Sequence, residues 1–562
     1  MHKHLIDLIA GHVETLYGIS DKEVNLTIPD EKFGDYATSV ALSLAGAIHK
    51  QPMEIAEELA ELLRGEVATT DVKVVKPGFI NMVLSDEELW NRASLSLEVP
   101  ESLKTYESKK IVVEYSDPNP FKVLHVGHLY TSLYGQSLVN LLKYTGADVY
   151  SLNFGGDIGL HVAKTLWSII RRLEGEYPEK LKTISQSERS KWMTESYIEG
   201  NNAYDQGEPI KGEIDELNKR IYKIHADNDR ESKLALIYWE CRTWSYDYFK
   251  EFYASLGIVF DKYYPESDVA QLGADTVLEQ QKNGVFEESD GAIVYRGEKK
   301  GLHTRVFINA QGLPTYEAKD VGLMLTKEKD FKPDLSIIDT GNEQLQYMEV
   351  VLAAISEFEP RLVEKTRHVT HGMVKLKGGI KMSSRKGNIL EASSVIDQVK
   401  EELDTEVDTQ RNQLALGAIS YGLLKTRAGS DIEFDPKQSV ASRGNSGVYL
   451  QYTHARLMSI IESSKFTDNS EQGIDGFEPA ERKLVRELEN FQMALENSVN
   501  DLSPHHICSY LYMLAQKTNH FYEHTRVIDE PREQPRIAIL SMVAKHLRTG
   551  LKILGIDAPN RI

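Results

Sequence analysis

Between Lys110 and Tyr144 the chain reads KIVVEYSDPNPFKVLHVGHLYTSLYGQSLVNLLKY, and this stretch admits few folds. Ile111, Val112 and Val113 form a β-branched run and the prolines Pro118 and Pro120 break it. From Leu124 the apolar residues Leu129, Leu133, Leu138 and Leu142 recur at roughly helical spacing. The pattern predicts a strand, a loop and a helix, with His125 and His128 at the helix start and Gly127 between them. Two imidazoles beside orphan backbone N–H groups and the positive end of the helix dipole make an anion cradle, and the absent Gly127 side chain permits close approach. A triphosphate suits that chemistry.

Far downstream, Gly378 to Asn388 reads GGIKMSSRKGN, a glycine-flanked loop with Lys381, Arg385 and Lys386 and the hydroxyls of Ser383 and Ser384. Such a loop can carry cations onto a pyrophosphate as charge develops in a transition state. Either motif alone is weak, because histidines near a helix start are more often structural and a basic loop is more often plain surface. In this order, about 250 residues apart, HVGH and KMSSR (Lys381, Met382, Ser383, Ser384, Arg385) resemble the two signatures of class I aminoacyl-tRNA synthetases.

A chain of 562 residues exceeds one ordinary core, so three or four domains are expected. Its 41% hydrophobic and 27% charged residues are those of a globular protein, and no apolar run approaches the ~20 residues of a membrane span. The N-terminal MHKHLIDLIAGHVETLYG has the period of an amphipathic helix and not the build of a signal peptide, so a cytoplasmic setting is expected. Cys241 and Cys508 are too few for a disulfide framework or a cysteine zinc knuckle, so no zinc or other protein-bound metal is expected. The net charge of −20 argues against loose binding of a polyanion. From Arg361 to Leu390, however, eight Lys or Arg stand against the single acid Glu364, which reads as a local basic patch.

Residues 1 to about 90 read as a small α/β module. GDYATSVALSLAGAIHK and PMEIAEELAELLRG have helical spacing, and VKVVKPGFINMVLS holds two short strands. The words FGDYATSVALSLA, PMEIAEELA and PGFINMVLS are similar to those of the N-terminal additional domain of arginyl-tRNA synthetases, which contacts tRNA. After the first strand and helix come DVYSL and the Gly-rich NFGGDIGLH, the first half of a doubly wound nucleotide-binding fold whose ligands sit at the carboxyl ends of its strands. Residues 164 to about 256 read as a helical insertion with core aromatics. The second half resumes at GIVFDKYYPES and ends in LSIIDTGNEQLQYMEVVLAAI, and beyond Asp404 the pattern is nearly all helical. GNSGVYLQYTHARLMSII and the terminal LGIDAP resemble the arginyl family's anticodon-binding helices. The implied fold class is α/β: a Rossmann-type class I catalytic domain over 101–400, an N-terminal tRNA-contacting domain over 1–100, and an all-α anticodon-binding bundle over 401–562.

A pocket for arginine must offer carboxylate to a planar guanidinium and grip its geometry. Tyr316 and Asp320 share a helix face by their spacing, so ring and carboxylate can meet one group, though each taken singly could equally be a core aromatic or half of an ion pair. EYSDPNPFKVLHVGHL resembles the arginyl version of the first signature, which implies that Glu114 and Asn119 bind the amino acid. TYEAKD likewise implies Tyr316 and Asp320, and Gln344 matches a further contact. The family further implies ATP, bound at His125, Gly127, His128 and Lys381 with magnesium as part of the substrate complex, together with L-arginine and tRNA. Among bundle residues Tyr449, Tyr452, His454 and Arg456 are the anticodon candidates, some of them necessarily core. A monomer with no membrane partner is expected. Three positions depart from the family pattern: Asp117 stands where small residues are common, His161 replaces a glutamine after GDIG, and SGVYLQY lacks a proline. Two other readings stay open, a different class I enzyme such as the cysteinyl type and an RNA-binding relative that has lost catalysis.

Overall fold

The computed structural model describes residues 2–20, 23–66, 69–377, 390–405, 407–464 and 476–562, so KMSSR falls outside the described residues. Five strands organise the chain: β1 (Lys110–Glu114), β2 (Asp148–Gly155), β3 (Lys262–Pro265), β4 (Leu335–Gly341) and β5 (Thr366–His371), in the order β5-β4-β1-β2-β3. Every pairing is parallel. The chain steps outward from β1 to β3, returns to lay β4 against the free side of β1, and ends at β5. The switch point lies between β1 and β4, where the carboxyl ends of the strands open a crevice.

Alternation along β1 sorts its side chains. Ile111 and Val113 join the large core that contains Leu129 and Leu133 of helix α1 (Val126–Tyr144), whereas Val112 packs with Leu152, Val269 and Leu323 on the opposite face. Four helices follow β2 or interrupt the path to β3: α2 (Leu160–Arg172), α3 (Arg189–Tyr204), α4 (Ile210–Ala226) and α5 (Lys233–Ser255). They share their own core of Leu166, Ile169, Ile221, Tyr238 and Trp244, so these aromatics are indeed packed and not displayed. Then come α6 (Glu266–Lys282), a three-stranded antiparallel sheet, α7 (Tyr316–Phe331) and α8 (Leu345–Ile355). Helices α6 and α7 touch backbone to backbone: a Cβ at Gly273 would lie 1.9 Å from the Ala318 carbonyl oxygen, and one at Gly322 would lie 2.3 Å from that of Val269. This contact fixes where α7 presents its first turns.

At the N-terminus the stretch read as one helix from Gly34 is split. Tyr36–Thr38 is a strand paired antiparallel with Ile80–Met82, and the helix begins only at Val40. Tyr36 and Thr38 are strand formers buried in a four-stranded sheet, and tertiary pairing overrides the helical spacing around them. The helices Gly447–Ser463, Pro479–Asn500, His505–His524 and Glu533–Ile553 form the C-terminal bundle around Phe491, Leu514, Leu540 and Leu547. Its helix Pro479–Asn500 docks on the N-terminal module, with Arg482 paired to Asp35 and Asp86 and Arg92 paired to Glu489 at 3.5 Å. A short strand, Ile432–Phe434, interrupts the helical tail and pairs with Val374–Leu376. Cys241 and Cys508 are buried free thiols.

Candidate active site

His125 is the N-cap of α1. Its Nδ1 accepts the Gly127 N–H at 3.1 Å, and Nδ1 of His128 accepts the His125 N–H at 3.2 Å, with the two ring centroids 3.8 Å apart. The histidines therefore satisfy two helix-start donors themselves, which corrects the expectation that those N–H groups would face the ligand. Burial, then the nearby Lys122 charge, lowers His125 to about 4. Burial and the charges of His125 and Lys122 also hold His128 well below the usual histidine range. Both rings are thus neutral, and because Nδ1 accepts, the proton sits on Nε2. Each presents one Nε2–H donor, and both rings are partly open to solvent. The described chain resumes at Leu390, five residues beyond Arg385, and its carbonyl accepts the Val126 N–H at 3.0 Å at the start of the helix that bears the first signature.

The loop between β1 and α1 is held from several sides. Ser116 and Asp117 both have positive φ, at 74° and 40°. The Ser116 hydroxyl meets those of Ser132 and Tyr253 at 2.8 and 2.9 Å, and Asp117 Oδ1 accepts the Phe154 N–H at 2.6 Å. The unusual Asp117 thus ties the loop to β2. Three residues before His125, Lys122 has no acidic partner among the described residues and lies 5.5 Å from the Tyr197 ring centroid. Burial lowers it to about 8, and its charge bears on His125, His128 and His161 together. Sequence reasoning passed over this lysine, since a single cation in a proline-rich loop belongs to no periodic pattern.

Gly156 admits the side chains on either side of it: a Cβ there would lie 2.2 Å from Asn119 Oδ1 and 3.1 Å from Glu266 Oε1. His161 Nε2–H donates to the Gly156 carbonyl at 2.6 Å, and its Nδ1 receives the Tyr316 hydroxyl at 3.0 Å. Tyr316 opens α7 and is 48% exposed, so its ring is available to a ligand. One turn later Asp320 is buried, with its carboxylate accepting the Tyr347 hydroxyl. Burial pushes Asp320 up to about 8; the Tyr347 hydrogen bond opposes this and Glu114 reinforces it. Glu114 itself, at the end of β1, has Oε2 2.5 Å from Lys327 Nζ, so one of its oxygens is already engaged inside the protein.

Asn119, Gly156, His161 and Tyr316 are therefore joined by direct contacts, Lys122 lies within the field of His161 and of both signature histidines, and Asp320 and Glu114 are buried. Gln344 sits in the exposed turn after β4, and no described contact joins it to the others. In the bundle, Tyr452 is exposed, Tyr449 receives the Asn519 amide at 2.6 Å, and Arg456 bonds the Tyr522 hydroxyl. His454 is fully buried against the Pro559 carbonyl and is core. Among the described residues, the basic patch read over 361–390 is not one surface. Arg361, Lys365 and Arg367 line a cleft of about 730 Å³ at the amino ends of the strands, while Lys375 and Lys377 pair with Asp431 and Asp435.

Comparison with known proteins assigns each part of the chain. Residues 93–430 match the family model "tRNA synthetases class I (R), catalytic domain", residues 3–84 the arginyl tRNA synthetase N-terminal domain, and residues 450–562 the DALR anticodon binding domain. An arginine–tRNA ligase of Bacteroides thetaiotaomicron is 28% identical, with 99% of both chains covered, and one of Borreliella burgdorferi is 27% identical, with 99% and 97% covered. The fold is that of the Thermus thermophilus arginyl-tRNA synthetase, with a TM-score of 0.78 at 23% identity and full coverage of both chains. The Plasmodium falciparum enzyme superposes with a TM-score of 0.77 at 18% identity, covering 100% and 99%. By a family match that spans most of its length and by the parallel sheet that bears the signature helix, the chain belongs to the arginyl class I tRNA synthetases.

Proposed function

We propose that the chain is an arginine–tRNA ligase, working as a cytoplasmic monomer, that uses ATP with its magnesium ion to join L-arginine to its cognate tRNA. The curated relatives carry that activity in their names, which leaves the cysteinyl reading without support. The carboxylate of arginine attacks the α-phosphorus of ATP in line, the bond to the β-phosphate oxygen breaks, and pyrophosphate leaves. The terminal ribose hydroxyl of the tRNA then attacks the arginyl carbonyl and releases AMP. Such chemistry calls for positioning and electrostatics more than for covalent help.

In this reading the Nε2–H groups of His125 and His128 and the Lys122 ammonium hold the phosphates, Gly127 admits them, and Lys381, Ser383, Ser384 and Arg385 of the second signature meet the departing pyrophosphate. Asn119, Tyr316, Asp320 and Gln344 take the amino acid, with Glu114 completing the negative field. Residues 1–100 contact the tRNA, 101–400 catalyse, and Tyr449, Tyr452 and Arg456 in 401–562 face the anticodon. The observation that supports the reading is Tyr316 at the start of α7, its hydroxyl donating to His161 Nδ1 at 3.0 Å, with the buried Asp320 one turn further on. Arginine-dependent ATP–pyrophosphate exchange, run with and without tRNA and beside lysine and cysteine, tests it. Exchange with arginine alone, dependent on tRNA, is expected; no exchange under any condition would favour the RNA-binding relative that has lost catalysis.

A further inference from the structure

At the end of the sheet away from the signature histidines, three neighbouring strands begin side by side. Lys109 precedes β1, Asp334 precedes β4, and Arg367 is the second residue of β5. Strand β4 lies between the other two, with Ser336 level with Val112 on one side and with Thr366 on the other. Parallel pairing therefore sets these residues in a row. Arg361, from the short helix Pro360–Glu364 that leads into β5, joins them in the cleft of about 730 Å³. That volume suits a ligand of nucleotide size. The cleft is also where three parts of the chain meet. The sheet supplies the cations, Tyr106 ends the linker from the N-terminal module, and Val499 and Leu502 come from the helical bundle. Leu502 has φ 48°, and its carbonyl accepts the hydroxyl of Tyr134 on α1 at 2.7 Å, so the bundle wall is fastened to the helix that bears the histidines.

The charges leave cations in excess. Of Lys109, Arg361, Lys365 and Arg367, which line the cleft, only Lys365 has an acidic partner among the described residues, Glu328. Lys109 Nζ lies 5.7 Å from the Tyr106 ring centroid, and Arg367 Nη1 donates to the Glu364 and Thr366 carbonyls at 3.0 and 3.1 Å. Two carboxylates share the cleft: Asp334, whose Oδ2 accepts the Lys110 N–H at 2.9 Å, and Glu364. Even with Glu328 counted, four cations against three acids leave the cleft positive in a chain whose net charge is −20. Helix C-termini arrive at this end of the sheet, and each favours a nearby cation. That effect does not call for two guanidinium groups and an ammonium, none paired with an acid, on one cleft.

We propose that this cleft is a second anion site, which takes a small polyphosphate, inorganic or nucleoside-borne, through Lys109, Arg361 and Arg367. A guanidinium fork meets two phosphate oxygens, and successive phosphates span separate cations. An RNA backbone is the poorer fit, because it needs cations along an extended stripe, and the chain beside the lining residues carries Glu107, Glu496 and Asp501. A polyphosphate held here touches all three parts of the chain and adjoins Leu502, the residue fastened to Tyr134 of α1.

The test is calorimetric titration of the full chain with inorganic tripolyphosphate, in wild type, Lys122→Met, Arg361→Ser/Arg367→Ser and Lys109→Ser. A binding event that survives Lys122→Met and weakens by about 10-fold or more in the double serine variant is expected, with a smaller loss in Lys109→Ser. Raising the salt should weaken that event further. Lys109, Arg361 and Arg367 are exposed, so Tm without ligand should stay at the wild-type value in both cleft variants; a purely structural role would lower Tm and leave binding intact. Repeating the titrations with ATP separates the sources: equal affinity marks a site for the phosphates alone, and tighter binding lost in the same variants marks a nucleotide site. No event that survives Lys122→Met, or a surviving event that the cleft variants leave unchanged, would overturn the proposal. So would a double variant that loses affinity for tRNA but keeps tripolyphosphate, since the cleft would then be an RNA contact.

Discussion

The Tyr316 hydroxyl donates to His161 Nδ1 at 3.0 Å, with the two rings inclined by only 24°. Burial lowers His161 to about 3, so the ring is neutral and keeps Nδ1 as an acceptor while Nε2–H holds the Gly156 carbonyl. The histidine that replaces the family's glutamine thus uses one acceptor and one donor, both of which a glutamine amide also has. His161→Gln should keep arginine KM within about 3-fold of wild type. His161→Leu forfeits both bonds, each worth about 1 kcal/mol net, and should raise KM roughly 10-fold or more with little change in kcat. Equal effects of the two substitutions on KM would show that the hydrogen bonds are not what positions Tyr316.

His125 has two duties that can be separated. Its Nδ1 caps α1, and its Nε2–H is the group free to meet a phosphate. In His125→Asn the amide oxygen takes the place of Nδ1, and asparagine is a favoured N-cap, so stability should change by less than ~1 kcal/mol. No donor reaches the Nε2 position, and exchange should fall about 10²- to 10³-fold, the loss seen when one preorganised donor is removed. Denaturant unfolding and exchange assays on the same preparation check both halves. A stable variant with wild-type exchange would remove His125 from the phosphate site.

Lys122 titrates within the working range. Burial lowers the pKa of its ammonium to about 8, so the charge is lost as pH rises through that value. The expected profile of kcat/KM for ATP, which reports the free enzyme, therefore declines above about pH 8. Lys122→Met should lower exchange by about 10²-fold and abolish that alkaline limb. If the limb persists in the variant, another group supplies it.

Much of this was legible before the fold was known. The β-branched run, the prolines and the helical spacing after Leu124 gave β1, the loop and α1 because buried parallel strands and their helices are written in local hydrophobic pattern. Spacing puts Tyr316 and Asp320 on one helix face, but it is the resemblance of TYEAKD to the arginyl family that singles them out. Neither points to the buried pairs of Lys319 with Glu266 and Lys327 with Glu114, because such a pair joins residues 53 or 213 positions apart and leaves no periodic trace. Nor could spacing tell that Arg361 would line the cleft at the amino ends of the strands while Lys375 pairs with Asp431. The strand at Tyr36–Thr38 was missed for the same reason, its partner lying over 40 residues away.

Asp320 links arginine binding to proton release. Its carboxyl is raised to about 8 by burial, with Glu114 and Glu266 adding to the shift and the Tyr347 hydroxyl and Lys327 opposing it. At pH 7 the free protein therefore holds Asp320 mostly protonated, and a guanidinium that pairs with it must displace that proton. Arginine affinity should rise by up to 10-fold per pH unit below pH 8 and level off above it, since one proton is exchanged per ligand. The sign for folding is opposite to that of an ordinary carboxylate: a group whose folded value is raised contributes stability at low pH and loses it as pH climbs from the unfolded value near 4 to about 8. Calorimetry at pH 7 in two buffers of unlike ionisation enthalpy reads the proton count directly. Release of close to one proton is expected in wild type and none in Asp320→Asn, and wild-type binding without proton release would mean that the guanidinium does not meet Asp320.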